Sequence, residues 1–143
     1  MRNMKRILIA FIAIFSLIGC SDYTPEEITE ASDGQYVYKD DDIAVSLNLV
    51  NNNCTSFTVF ADGKVYYQNT ERTKPSGKYP TLSYRFSNMT ITCAFFIKGF
   101  NATTSGKLQT NMPGLTGSIE LPDEMKFKLS STPLDANGDG ILD

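Results

Sequence analysis

Oxygen-bearing side chains recur at alternate positions near the end of the sequence, Asp135, Asn137 and Asp139, followed by Gly140 for a tight turn, the apolar Leu142 and one more carboxylate, Asp143. Alternate oxygens on a tightly turned chain can converge on a hard cation, so this run is the candidate metal site, a weak calcium site. Asp40, Asp41 and Asp42 are a second acidic cluster. Neighbours on a turn point apart and repel one another, which suits a solvated turn better than a metal site. The chain has no histidine, which removes the commonest general base, the usual catalytic triad and the commonest zinc ligand. No two carboxylates are set by spacing at a glycosidase separation, so no catalytic residue is named and hydrolysis is the least supported activity. The other candidate chemistry is binding. Tyr66 and Phe96 fall on the opposite parity from the core positions of their strands, and Arg72, Lys74 and Lys78 lie in the long loop between them. Together they are the candidate ligand site, an aromatic and cationic surface for a small apolar molecule, a glycan or a peptide.

These residues are carried by strands. From Gly34 onward the apolar period is two, clearest where Ile43, Val45, Leu47 and Leu49 alternate with polar neighbours. Nine short strands are predicted, at 34–38, 43–50, 55–61, 64–68, 81–86, 89–100, 105–110, 115–121 and 125–129. Val65 and Tyr67 are expected on one face, as are Leu82, Tyr84 and Phe86, and as are Met89, Ile91, Cys93, Phe95 and Ile97. Asn51 to Asn53, Asp62-Gly63 and Ser87-Asn88 supply turns, and residues 69–80 form the longest loop. No amphipathic helix interrupts the series. The predicted fold is all-β, an antiparallel meander closing into a small barrel, with an immunoglobulin-like β-sandwich as the alternative. The Gly-Tyr start and the hairpin connections resemble small lipocalin-like lipoproteins.

Upstream, Arg2, Lys5 and Arg6 precede an apolar run from Ile7 to Leu17 that is too short to span a bilayer. It ends in Leu17-Ile18-Gly19-Cys20, which resembles the lipobox of bacterial lipoproteins. The resemblance implies cleavage after residue 19 and acylation of Cys20, and Ser21-Asp22 is similar to the export signal of Bacteroidetes lipoproteins. The expected organisation is a signal peptide at 1–19, a lipid-anchored tether at 20–33, a single β domain at 34–130 and an acidic tail at 131–143. The implied place is the bacterial outer membrane, on its periplasmic or cell-surface face. Without the three basic residues of the leader the formal charge of −3 becomes −6, and so acidic a chain as a whole gives no electrostatic case for binding nucleic acid or anionic lipid.

With Cys20 assigned to lipid, Cys54 and Cys93 remain as an even pair in an oxidising compartment and are a candidate disulfide. Parity opposes it, because Cys54 falls opposite Phe57 and Val59 unless a bulge near Ser56 intervenes. The alternative is two buried thiols. The run from Asp135 to Asp143 resembles the first nine positions of an EF-hand calcium loop, but no twelfth-position glutamate follows. The expected function is a non-catalytic envelope binding module, with a structural or assembly partner of an outer-membrane complex as the alternative.

Overall fold

The computed structural model describes residues 29–143, so the expected signal peptide and the lipidation expected at Cys20 lie outside the described residues. Eleven strands follow in chain order: β1 (Gly34–Lys39), β2 (Ile43–Val50), β3 (Asn53–Ala61), β4 (Lys64–Asn69), β5 (Ser76–Lys78), β6 (Thr81–Phe86), β7 (Met89–Phe96), β8 (Gly99–Ser105), β9 (Leu108–Gln109), β10 (Ser118–Ile119) and β11 (Glu124–Ser130). Nine form one antiparallel sheet in the order β4-β3-β2-β1-β11-β8-β7-β6-β5, and β9 pairs with β10 apart from it. The expected barrel does not close, because no ladder joins the two edge strands, β4 and β5. The sandwich fails too, since one continuous sheet carries almost all the strands. No helix among the described residues is long and apolar enough to cross a membrane.

The reason for the open edge is visible on β4. Its outward backbone groups are already bonded, but not to a strand. Asn111 presents its side-chain amide to both groups of Gln68: Gln68 N–H donates to Oδ1 at 3.1 Å, and Nδ2 donates to Gln68 O at 2.7 Å. The Thr110 hydroxyl donates to Tyr66 O. Val65 N–H donates to Gly140 O at 3.0 Å, and Leu142 N–H to Gly63 O at 2.8 Å. The chain then crosses to β5 through residues 70–75, where Thr73 and Cys54 exchange two backbone bonds of 2.8 Å.

The two flanks nevertheless share one core. Phe57 of β3 stacks on Phe86 of β6 with ring centroids 4.1 Å apart and planes 5° apart. Tyr84 O–H donates to Asn52 O across the same gap. Leu108 and Leu121, at the two ends of the excursion that contains β9 and β10, are buried in this cluster. The alternation read from sequence holds for Val45, Leu47, Leu49, Leu82, Tyr84, Phe86, Met89, Ile91 and Cys93, all buried.

Two bulges redirect side chains. Asn48 pairs with Ser56 but Leu49 with Cys54, so Thr55 is the extra residue and Cys54 returns to the inner face. Val59 pairs with Tyr67 but Phe60 with Val65, so Tyr66 is extra in β4. Val65 and Tyr67 therefore do not share a face. Tyr67 joins the core, while Val65 packs with Ala44 and Phe60 on the outer face, under Met112, Leu134 and Leu142. The segment after residue 130 is thus a folded loop docked on the sheet.

One predicted strand is a hairpin. Residues 89–100 break at Ile97-Lys98, where Lys98 takes a φ of 60°, and β8 turns back along β7. Ile97, expected inside, is 71% exposed. At the same end of the sheet residues 29–33 join the domain. Ala31 is buried, its N–H donating to Asn52 Oδ1 at 2.7 Å, and Asn51 N–H donates to Asp33 Oδ1 at 2.8 Å. This is the tether end. The opposite, far end carries the β1–β2, β3–β4 and β6–β7 turns.

If Asn111 is what blocks the β4 edge, Asn111→Ala exposes a donor and an acceptor there. The variant is expected to lose about 1–2 kcal/mol of stability in urea titration and to self-associate more than the parent. Equal stability and equal sedimentation behaviour would show that the edge is protected by something else.

Candidate functional site

The outer face of β1 to β4 carries a cleft of about 450 Å³ between the sheet and the docked C-terminal loop. Its wall follows from strand parity. Ser46 on β2, Ser56 and Thr58 on β3, and Gln68 on β4 alternate with the inward core residues, and Gln35 on β1 completes the row. Ser46 pairs across the ladder with Thr58, and Thr58 with Gln68, which gathers hydroxyls and amides into one patch. Phe60, Val65, Met112 and Leu134 form an apolar end.

The wall is incompletely satisfied. Ser46 Oγ donates to Gln35 Oε1 at 3.3 Å, and Gln35 Nε2 to Thr132 O at 3.1 Å. Thr58 is only 7% exposed, and its hydroxyl has no protein hydrogen-bond partner among the described residues. A buried hydroxyl without a partner is costly unless water or a ligand completes it.

The roof is built by Asp135. Its Oδ1 accepts from Gly138 N–H at 3.0 Å and Asp139 N–H at 3.3 Å, and its Oδ2 from Gly140 N–H at 2.7 Å. Asn137 Oδ1 accepts from Asp139 N–H, Asp139 Oδ1 from Ile141 N–H, and Asp143 Oδ2 from Ala136 N–H. The oxygens that an EF-hand-like loop would offer to calcium thus fold the loop itself. Among the described residues no group of three or more His, Cys, Asp or Glu is placed to hold a metal ion.

The aromatic and cationic site read from sequence is not assembled around this cleft, whose lining contains none of its five residues. Tyr66 is half-buried on the edge strand β4, and five strands separate it in the sheet from β7, which carries Phe96. Arg72, Lys74 and Lys78 are exposed at the tether end. The cleft was missed because its residues are ordinary outward strand positions, and only the return of the C-terminal loop makes them a concavity. The Asp40 cluster is a turn. Asp40 Oδ1 accepts from Asp42 N–H and Ile43 N–H at 2.8 Å each, and Tyr38 O–H donates to Oδ2 at 2.7 Å. The Tyr38 hydrogen bond, then those amides, lower the Asp40 pKa.

Cys54 and Cys93 are free thiols, both buried, and not a disulfide. The bulge removes the parity conflict, yet the Cys54 thiol donates to Ser56 O at 3.3 Å instead. Burial pushes the Cys54 pKa up to about 12. It pushes Cys93 well above its ordinary value, with the neighbouring Cys54 adding to the effect. Burial also pushes Tyr36 up to about 12 and raises Tyr84 strongly, the latter with Cys93, Cys54 and Tyr36 contributing.

Unfolded, these thiols and phenols titrate near 9 and 10. Below that range both states hold their protons. Above it the unfolded chain releases protons that the native state keeps, so stability present in full below about pH 9 is lost as pH climbs toward 12. Urea midpoints are expected to fall above about pH 9, with both thiols alkylated only on unfolding and without reductant. A midpoint that holds steady up to about pH 11 would contradict this account. Calorimetry with calcium is expected to give a dissociation constant no tighter than about 10⁻³ M, and low-micromolar binding would show that the wound loop holds the ion. No protein-family model matches the chain, nor does any curated protein or solved structure, so its function is argued from its own cleft and surfaces.

Proposed function

We propose that the chain is an exported, lipid-anchored, non-catalytic binding module whose outer-face cleft takes a short neutral glycan. The observation that carries this reading is the buried, unpartnered Thr58 hydroxyl in the cleft wall. A wholly apolar ligand would leave Gln35, Ser46, Ser56, Thr58 and Gln68 desolvated without partners. An extended peptide would favour a free strand edge, and the edge beside the cleft is already capped by Asn111 and Gly140. A sugar presents both of the required faces. Its hydroxyls match the polar wall, and its C–H surface matches Phe60, Val65, Met112 and Leu134. Asp135, with both oxygens accepting amide protons, serves as a structural acceptor rather than a base. The Cys20 lipobox supplies the envelope location in this reading.

The test is a screen of the full chain against short neutral oligosaccharides by saturation-transfer NMR, repeated with Thr58→Val. Removing one ligand hydrogen bond is expected to weaken binding about tenfold. The thermal midpoint should not fall, because a methyl replaces an unpartnered hydroxyl of the same shape. Failure of every sugar to bind, or binding that Thr58→Val leaves unchanged, would refute the assignment.

A further inference from the structure

The tether end of the sheet combines three features that the cleft does not use. The first is an exposed apolar tip. Ile97 is 71% exposed and Phe96 45% exposed at the β7–β8 turn. The tip is held in place rather than loose: Leu129 N–H donates to Lys98 O at 2.9 Å, and the Phe96 ring lies over Gly99, where an added Cβ would come within 2.6 Å of it.

The second feature is charge. Arg72, Lys74, Lys78 and Lys98 are exposed at this end, beside Glu30, Asp33 and Glu71. The far end carries Asp40, Asp41, Asp42, Asp62, Asp123 and Glu124, together with the acidic C-terminal loop, against Lys39, Lys64, Arg85 and Lys107. A chain that is acidic overall is therefore polarised along its strands by its acids: four of these cations stand at each end, whereas the acids of the described residues crowd the far end.

The third is chain direction. Residues 29–33 enter the domain here, through Ala31 on Asn52 and Asp33 on Asn51. The nine peptide links from Cys20 to Thr29 reach at most about 30 Å when fully extended. A lipid on Cys20 would keep this end within that distance of the bilayer.

We propose that the tether end docks directly on an anionic phospholipid surface. Phe96 and Ile97 enter the interface between headgroups and acyl chains, and Lys98, Lys78, Lys74 and Arg72 meet phosphates. The orientation of this contact rests on the lipid-anchored reading of Cys20, whereas the contact itself is made by the folded domain. It holds the far end and its acidic turns away from the membrane and fixes the strands end-on to it.

The chain contains no tryptophan, so Ile97→Trp introduces a single reporter at the tip, and Asp41→Trp does the same at the far end. Each full-length, membrane-purified variant is reconstituted into vesicles of phosphatidylethanolamine and phosphatidylglycerol, with or without acyl-brominated lipid. The expected result is blue-shifted emission, strongly quenched by bromine, for Ile97→Trp and neither effect for Asp41→Trp. Quenching should weaken when phosphatidylcholine replaces phosphatidylglycerol, and when Arg72, Lys74 and Lys78 are all changed to Gln. Phe96→Trp, which keeps a ring over Gly99, provides a second reporter should Ile97→Trp fold poorly. Tip reporters no more quenched than Asp41→Trp, in vesicles that retain the protein, would overturn the proposal and leave the tip to a protein partner. The anchor is scored separately, by release of Cys20→Ser from the vesicles. If the parent is itself not retained, the anchor reading fails, and the tip reporters are titrated with the same vesicles from solution, where absence of quenching overturns docking as well.

Discussion

The edge of β4 is the constraint on which the architecture turns. A sheet edge must find partners for its backbone groups, and in most closed sheets another strand supplies them. Here a side-chain amide, a hydroxyl and a returning loop do so: Asn111 on Gln68, Thr110 on Tyr66, and Gly140 on Val65. Once those groups are occupied, β5 cannot add to β4, and the sheet stays open. Its two flanks still have to bury Phe57, Val59, Tyr84 and Phe86, so they meet through side chains instead of a ladder. The excursion through β9 and β10 serves both needs, since Leu108 and Leu121 fill the core while Thr110 and Asn111 cap the edge.

The same constraint creates the cleft. Gly140 can reach Val65 only because the loop from Asp135 is wound tightly, and the Asp135 carboxylate winds it by accepting three amide protons. Leu134 and Leu142 then cover Phe60 and Val65, leaving Ser46, Ser56 and Thr58 beside them under a roof. A motif whose oxygens suggest calcium from the sequence thus acts as a self-folded strap. The residue types are right for both roles, and an Asp carboxylate that accepts amide protons keeps lone pairs for a cation, so winding the loop and holding an ion are compatible.

The legible parts of the fold were those governed by period. Val45, Leu47, Leu49, Leu82, Tyr84, Phe86 and Ile91 are inside because strand parity puts them there, and the hairpin at Asp62-Gly63 carries its own turn signal. Bulges were not legible in the same way. Inserting Tyr66 flips parity without leaving a compositional mark, so Val65 is expected on the wrong face, whereas at Cys54 the parity conflict itself points to a bulge near Ser56, which Thr55 makes. The turn at Ile97-Lys98 was hidden because Ile97 prolongs the alternation and Lys98 is not a usual residue at positive φ. The cleft was least legible of all. It depends on a contact between residues about 75 positions apart, Val65 and Gly140, that no local pattern encodes.

The composition of the cleft wall argues that the C-terminal loop does more than cover an apolar patch. If coverage were its whole role, the strand positions beside Phe60 would be stabilised by Val or Ile, which suit a strand and bury well. Thr58 has the same shape as Val and gains nothing from its hydroxyl within the protein, since that group is buried and unpartnered among the described residues. Its neighbours across the ladder, Ser46 and Gln68, repeat the choice of polar over apolar. Thr58, buried without a partner among the described residues, is a local inconsistency of the kind that natural folds carry at functional positions, whereas Ser46 is half-buried and bonds Gln35, and Gln68 is exposed. A recognition surface would give the Thr58 hydroxyl the partner that a loop covering an apolar patch does not.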